Sequence, residues 1–154
     1  MEENKIDINL RRSFLDFFKR RLIIDSNKIS YENKIIPCNS VKEVRYGITQ
    51  LYINGIKANR IYEFGIKGNT EKPLRITFQS ARLFVTNKKM EDVYLSIVNC
   101  LWENVTARLV EEAIANLEKG KSFTMEKVEV KPKGIQMQIR RKKKKKETHF
   151  VEWK

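Results

Sequence analysis

One histidine, two cysteines and three prolines in 154 residues leave few of the groups from which catalytic and metal sites are assembled. A protein metal site needs several His, Cys or acidic ligands at close spacing. His149, Cys38 and Cys100 form no such cluster. The two cysteines stand 62 positions apart with no CxxC, so reduced intracellular thiols are expected and a secreted disulfide framework is not. GxSxG, GxxxxGK[ST] and GxGxxG are all missing, which excludes the hydrolase elbow and the Gly-rich phosphate loops. No window approaches the ~18 consecutive apolar residues of a membrane-spanning helix. The opening MEENKID has neither a signal-peptide apolar stretch nor the acid-poor character of a transit peptide. The expectation is a cytoplasmic, non-enzymatic protein with no cofactor, no metal and no small-molecule substrate.

What the chain has in excess is positive charge: 32 Lys+Arg against 19 Asp+Glu, a net of +13. Such a balance favours anionic partners, whether nucleic acid, acidic lipid or an acidic protein face, and says nothing about fold. A composition rich in Lys, Ile and Asn can also follow from genome base composition alone. The position of the charge is more informative than its total. Gly120 to Lys154 holds twelve basic and four acidic residues, a net of +8 that leaves +5 for the preceding 119. Its centre is the run Arg140, Arg141, Lys142, Lys143, Lys144, Lys145 and Lys146. Seven adjacent cations repel one another, so the run is expected to be solvated unless an anion neutralises it. One reading is a solvated loop tip that protects a strand edge from aggregation. A second is an anchor on anionic lipid, at about 1 kcal/mol per lysine near the surface, or on an acidic protein. The third is nucleic acid held through counterion release without sequence preference. No RNP-type stretch, zinc finger or short recognition helix accompanies the third.

Hydrophobic spacing divides the chain. From 22 to 86 the pattern is strand-like: Ile29 and Tyr31, then Val44, Tyr46 and Ile48, then Tyr62, Phe64 and Ile66, then Leu74, Ile76 and Phe78 alternate with polar residues. Asp25-Ser26-Asn27, Asn54-Gly55 and Gly68-Asn69 punctuate the strands, and Asn-Gly specifies a type I′ hairpin. Short strands joined by tight turns predict a curled antiparallel sheet or small barrel. From 87 to 120 the period changes to four. Val93, Ile97, Leu101, Val105, Leu109, Ala113 and Leu117 mark one amphipathic helix, with Asn87 as N-cap and Gly120 just past its end. Such a helix is about 45 Å long, against a diameter near ~40 Å for a compact chain of this size. Its far half therefore needs cover, which the C-terminal segment 121–154 is expected to supply. There, Val128 and Val130 lead into the turn Lys131-Pro132-Lys133-Gly134, followed by Ile135, Met137 and Ile139, then Val151 and Trp153. These read as three strands with the basic run at the tip of the last hairpin.

The N-terminal segment 1–21 is ambiguous. Leu10, Phe14, Phe17 and Phe18 fit one helical face, and Phe14 to Leu22 fits a first strand; in either case the aromatics are expected to fill a core and not to lie on a membrane. His149 shares a face with Val151 and Trp153 and reads as packed. Trp102 and Trp153 read as core residues, or as anchors of a protein interface. Glu91-Asp92 and Glu111-Glu112 read as exposed helix acids.

Leu22 to Ile36 and Val128 to Val151 follow the same plan of strand, four-residue turn, alternating strand, insert and strand. With KISYENKIIPCNSVKEVRYG, RIYEFGIKG and LWENVTARLVEEAIANLEKGKSF, the chain resembles bacterial pleckstrin-homology-like (PH-like) domain proteins from about residue 20 onward. The resemblance implies an α+β fold, in which a bent antiparallel sheet is closed by a C-terminal helix, and a binding scaffold with no catalytic role. A PH-like domain spanning 1–154, or one unit plus the start of a second, is expected. Its partner would be a protein or an acidic membrane surface, with nucleic acid or a second copy of the chain as alternatives. Phosphoinositide recognition is not implied, because Arg20, Arg21 and Lys28 surround an acidic Asp25 and match that motif poorly.

Overall fold

The computed structural model describes residues 5–13, 16–69, 72–79, 88–125, 127–140 and 146–153, with the backbone alone for 139, 140, 146 and 147. Seven strands come first: β1 (Ile6–Leu10), β2 (Arg20–Ile24), β3 (Lys28–Tyr31), β4 (Lys34–Pro37), β5 (Glu43–Ile53), β6 (Ile56–Lys67) and β7 (Leu74–Gln79). A helix follows as α1 (Lys88–Leu101), a π-helical turn (Trp102–Thr106) and α2 (Ala107–Glu118). Four more strands close the described chain: β8 (Phe123–Met125), β9 (Val128–Lys131), β10 (Gly134–Arg140) and β11 (Lys146–Glu152). The fold is α+β with antiparallel sheets and one long helix. Two compact units divide it, residues 1–107 and 108–154, with the boundary just after the π-helical turn.

The first unit holds two sheets, ordered β1-β2-β3-β4 and β5-β6-β7. No strand ladder joins them among the described residues, so the expected curled sheet is not closed into a barrel. Their turns follow local chemistry. The Asp25 carboxylate accepts the backbone N–H groups of Asn27 and Lys28, each at 2.9 Å, and so fixes the β2–β3 turn. Asn54 and Gly55 both take positive φ, 51° and 78°, as the type I′ turn between β5 and β6 requires. Alternation then sorts the side chains. Leu22, Ile24, Ile29 and Tyr31 of the first sheet are buried, as are Tyr62, Phe64, Ile66, Leu74, Ile76 and Phe78 of the second. Ile97, Cys100, Leu101 and Val105 bring the N-terminal part of the helix into the same core. Tyr94 of α1 lies 5.3 Å from Tyr62 and 5.0 Å from Phe64, ring centre to ring centre, and Tyr62 stacks on Phe78 at 5.1 Å. Arg60 and Glu91 add an ion pair between β6 and α1, so Glu91, read as an exposed helix acid, is partly buried against the sheet.

At three places in this unit the structure departs from the sequence reading or adds to it. The ambiguous N-terminal segment opens with a strand, residues 6–10, paired from Ile6↔Ile24 to Leu10↔Arg20. Phe17 and Phe18 do not fill the core; they are 86% and 77% exposed. Polar pairs hold that connector instead: Arg12–Glu32 at 2.8 Å, Arg20–Glu32 at 2.6 Å and Arg20–Asp16. Phe14, which the helical reading included, lies outside the described residues. Finally, Tyr46 and Ile48 are exposed although their alternation matches that of β6, because β5 is the edge of its sheet.

In the second unit the helix ends as expected. Gly120 takes φ 77°, its N–H donates to Leu117 O at 2.9 Å and that of Lys121 to Asn116 O at 2.9 Å, which is a Schellman motif. The proposed N-cap Asn87 lies outside the described residues. The C-terminal sheet is a meander ordered β11-β10-β9-β8, so β9, β10 and β11 form where expected and β8 is an addition. Pro132 and Lys133 connect β9 to β10. Gly134 is required there: a Cβ would meet Phe150 Cζ at 2.8 Å, Glu152 Cα at 2.9 Å and the Val151 carbonyl oxygen closer still. Among the described residues the expected cover of the helix is not found. No residue of α2 is buried, and every buried apolar residue among those described lies between Leu10 and Val105. Trp102 and Trp153, read as core residues or as interface anchors, are both half exposed and so are not core residues.

Replacing Phe64 with Ala should cost about 3–5 kcal/mol, whereas Phe150→Ala, at an exposed site, should stay within about 0.5 kcal/mol. Denaturant unfolding of both variants checks this, and a near-neutral Phe64→Ala contradicts the core described above. The two N–H bonds hold the Asp25 carboxyl below its ordinary range. Its contribution is therefore present above the unfolded value of about 3.9 and is lost as pH falls through the lower folded value. Asp25→Asn should reduce stability at neutral pH and flatten its acid limb.

Candidate functional site

β5 and β6 run for 11 and 12 residues, but β7 pairs with β6 only from Ile61 to Ile66. Among the described residues no third strand pairs with the hairpin beyond Ile61, and two strands without a third or a helix against them bury little. Leu51, Tyr52, Ile53 and Ile56 at its tip are all exposed, up to 59% for Tyr52. A register shift between Gln50 and Tyr52 bends the ribbon where it leaves the sheet. Below the tip, Arg60 donates its Nε–H to Gln50 Oε1 at 2.9 Å, and Gln50 Nε2 donates to the carbonyls of Leu51 and Ala58 at 3.0 and 3.3 Å. The base of the ribbon is thus pinned by polar bonds while its end presents four large apolar side chains. Periodicity did not reveal this, because the alternation in β5 looks the same whether or not a sheet covers it.

The basic run belongs to the second unit. Arg140 is the last residue of β10 and Lys146 the first of β11, and the two are register partners. The run therefore spans the β10–β11 connection, as expected. Arg141, Lys142, Lys143, Lys144 and Lys145 lie outside the described residues, as do the side chains of Arg140 and Lys146. His149 stands on β11 opposite Met137 and is partly buried, while its face-mates Val151 and Trp153 are exposed. The Trp153 indole N–H donates to Lys131 O at 3.1 Å, which holds the strand end against the β9–β10 turn.

The remaining reactive groups serve the fold. Cys38 and Cys100 are both buried thiols. The Cys38 thiol donates to Asp25 O at 3.3 Å, and Asn104 Nδ2 donates to Cys100 Sγ at 3.4 Å. Burial pushes the Cys100 thiol up, away from the reactive thiolate. Tyr31 is buried beside Arg12, and desolvation raises its phenol while the guanidinium offsets part of that rise. Arg12 and Arg20 face Asp16 and Glu32, so this cluster carries no net charge and clamps the β1–β2 connector to the β3–β4 turn. Among the described residues no group of three or more His, Cys, Asp or Glu is arranged to hold a metal ion, and no helix is long and apolar enough to cross a membrane.

Ellman's reagent should label neither cysteine at an appreciable rate in the folded protein and both on unfolding; rapid labelling of Cys100 would place its thiol at the surface. Compared with family models, curated proteins and solved structures, the chain matches none of them.

Proposed function

We propose that this chain is a non-enzymatic PH-like interaction module that engages a partner protein or an acidic membrane surface. The order of elements in the first unit supports the scaffold: four antiparallel strands, three more in a second sheet, then the long helix. The observation that carries the interaction reading is the β5–β6 ribbon. Its tip gathers four exposed side chains, Leu51, Tyr52, Ile53 and Ile56, whereas the rest of β6 and β7 buries Tyr62, Phe64, Ile66, Leu74, Ile76 and Phe78. Apolar and aromatic groups gathered at a projecting tip are the anchors on which protein interfaces concentrate their energy. The Arg140–Lys146 run adds long-range attraction to an anionic surface, which salt would screen.

Self-association is a second reading with its own observation. The second unit exposes Val110, Ile114, Met125, Phe150, Val151 and Trp153 and buries no apolar residue among those described. Another copy of the chain would supply the cover.

Co-sedimentation with anionic vesicles, set against retention of duplex and single-stranded nucleic acid at physiological salt, separates the partner classes. Vesicle binding that falls when Lys142–Lys146 are changed to Ser supports the membrane arm. Nucleic-acid retention that falls with the same change favours the alternative of a nucleic-acid-binding protein. A photo-crosslinker at Tyr52 should give a discrete protein adduct that Ile53→Ser with Ile56→Ser removes. If no adduct forms and neither ligand is held, the module reading fails. Light scattering that finds only monomer at every concentration removes self-association.

A further inference from the structure

The outward face of β5-β6-β7 carries a feature independent of the PH-like reading. Strand register places Arg45, Gly65 and Arg75 in one row across the three strands, with Glu43 opposite Lys67 in the row beside it. Alternation turns Val44, Ile66 and Leu74 to the other face, where Ile66 and Leu74 are buried. Neighbouring strands lie about 4.8 Å apart, so the two arginines leave the sheet roughly 10 Å from each other. Between them is a glycine, and the space above it is a cleft of about 210 Å³ lined by Glu43, Arg45, Gly65, Lys67, Pro73 and Arg75.

Gly65 is not explained by the fold. A glycine inside a central strand weakens it, by about 0.5–1 kcal/mol in conformational entropy. Its φ is not among the positive values that would call for glycine. A Cβ there would meet Arg45 Cβ at 3.5 Å and Arg45 Cδ at 3.9 Å, which are ordinary contacts. Gly134 is the contrasting case, where a Cβ has no room. Neither backbone conformation nor crowding requires a glycine at 65; what it provides is an open floor between two guanidinium groups. No register shift marks a bulge at Gly65, and a mid-strand glycine without one often marks close approach by a ligand or another backbone.

We infer that the cleft over Gly65 binds a phosphomonoester dianion. Arg45, Lys67 and Arg75 supply three cations against the one carboxylate of Glu43, a surplus that matches two negative charges. Arginine suits such a group because its planar fork donates two parallel N–H bonds to phosphate oxygens. The Glu43 carboxylate accepts the Arg45 Nε–H, which sets the orientation of the guanidinium. The cleft is smaller than the ~300–1,000 Å³ of pockets that enclose whole drug-sized ligands. It holds the phosphate and leaves the group that carries it outside. Glu63 lies in the next row, opposite Gly47, and bounds the cationic area on that side.

The test is an amide-resolved NMR titration of the whole chain with inorganic phosphate at constant ionic strength, against chloride as control. Shifts should concentrate at Arg45, Gly65, Lys67 and Arg75. Arg75→Gln should weaken binding about tenfold through loss of a charge-assisted pair. Gly65→Val should abolish it while keeping every charge, and its folded spectrum shows that the loss is local. Glycerol phosphate in solution and vesicles containing phosphatidic acid then separate the two sources of the group. Binding in solution assigns a soluble ester, and binding confined to vesicles assigns a lipid headgroup, provided that Gly65→Val removes either. No shift at these residues, or undiminished binding by Gly65→Val, overturns the proposal.

Discussion

The first unit depends on one cluster of rings. Tyr62, Phe64 and Phe78 project from β6 and β7 to the same side, and Tyr94 of α1 lies across the first two. Large aromatic faces bury more area per residue than any aliphatic side chain and favour offset or tilted geometries. They therefore hold helix to sheet and also constrain how the helix lies on it. Ile97, Leu101 and Val105 continue the seam, and the buried apolar positions end there. Alternation in β6 and β7 and four-residue spacing in α1 are two separate sequence patterns that meet at this cluster.

The two four-stranded meanders show what that seam does. β1–β4 and β8–β11 have the same nearest-neighbour antiparallel order. The first buries Leu22, Ile24, Ile29 and Tyr31, whereas Gly134 is the only residue described as buried in the second. Strand formation needs only local alternation and suitable turns, and both meanders have these. Burial needs a second layer of matching apolar surface. Among the described residues the first unit supplies that layer from its own chain, and the second does not.

This contrast also explains what could be read from the sequence. The Asn54-Gly55 hairpin, the Gly120 helix end, the strands of 22–79 and the C-terminal hairpins were legible because each is set by residues close together in the chain. β1 was missed because Ile6-Asp7-Ile8-Asn9-Leu10 is short, and the rings at Phe14, Phe17 and Phe18 pointed to helix. The exposure of Tyr46, Ile48, Trp102 and Trp153 was illegible for a different reason: spacing reveals which residues share a face but not whether anything covers it. Of the candidate sites, the basic run is plain in the sequence. The cleft over Gly65 is not, since it joins residues from three strands that only the sheet register brings into one row.

The crowding at Gly134 bears on how the chain tolerates substitution. In the first unit the cost of a truncation grows with the volume of side chain removed, from a methylene to a whole ring. In the second, the backbone of β11 passes so near the β9–β10 turn that a single methyl group has no place to go. Sequence drift should therefore be graded in one half of the molecule and abrupt at one position in the other, which makes residue 134 a point where a single substitution can disable the C-terminal sheet and leave the N-terminal core intact.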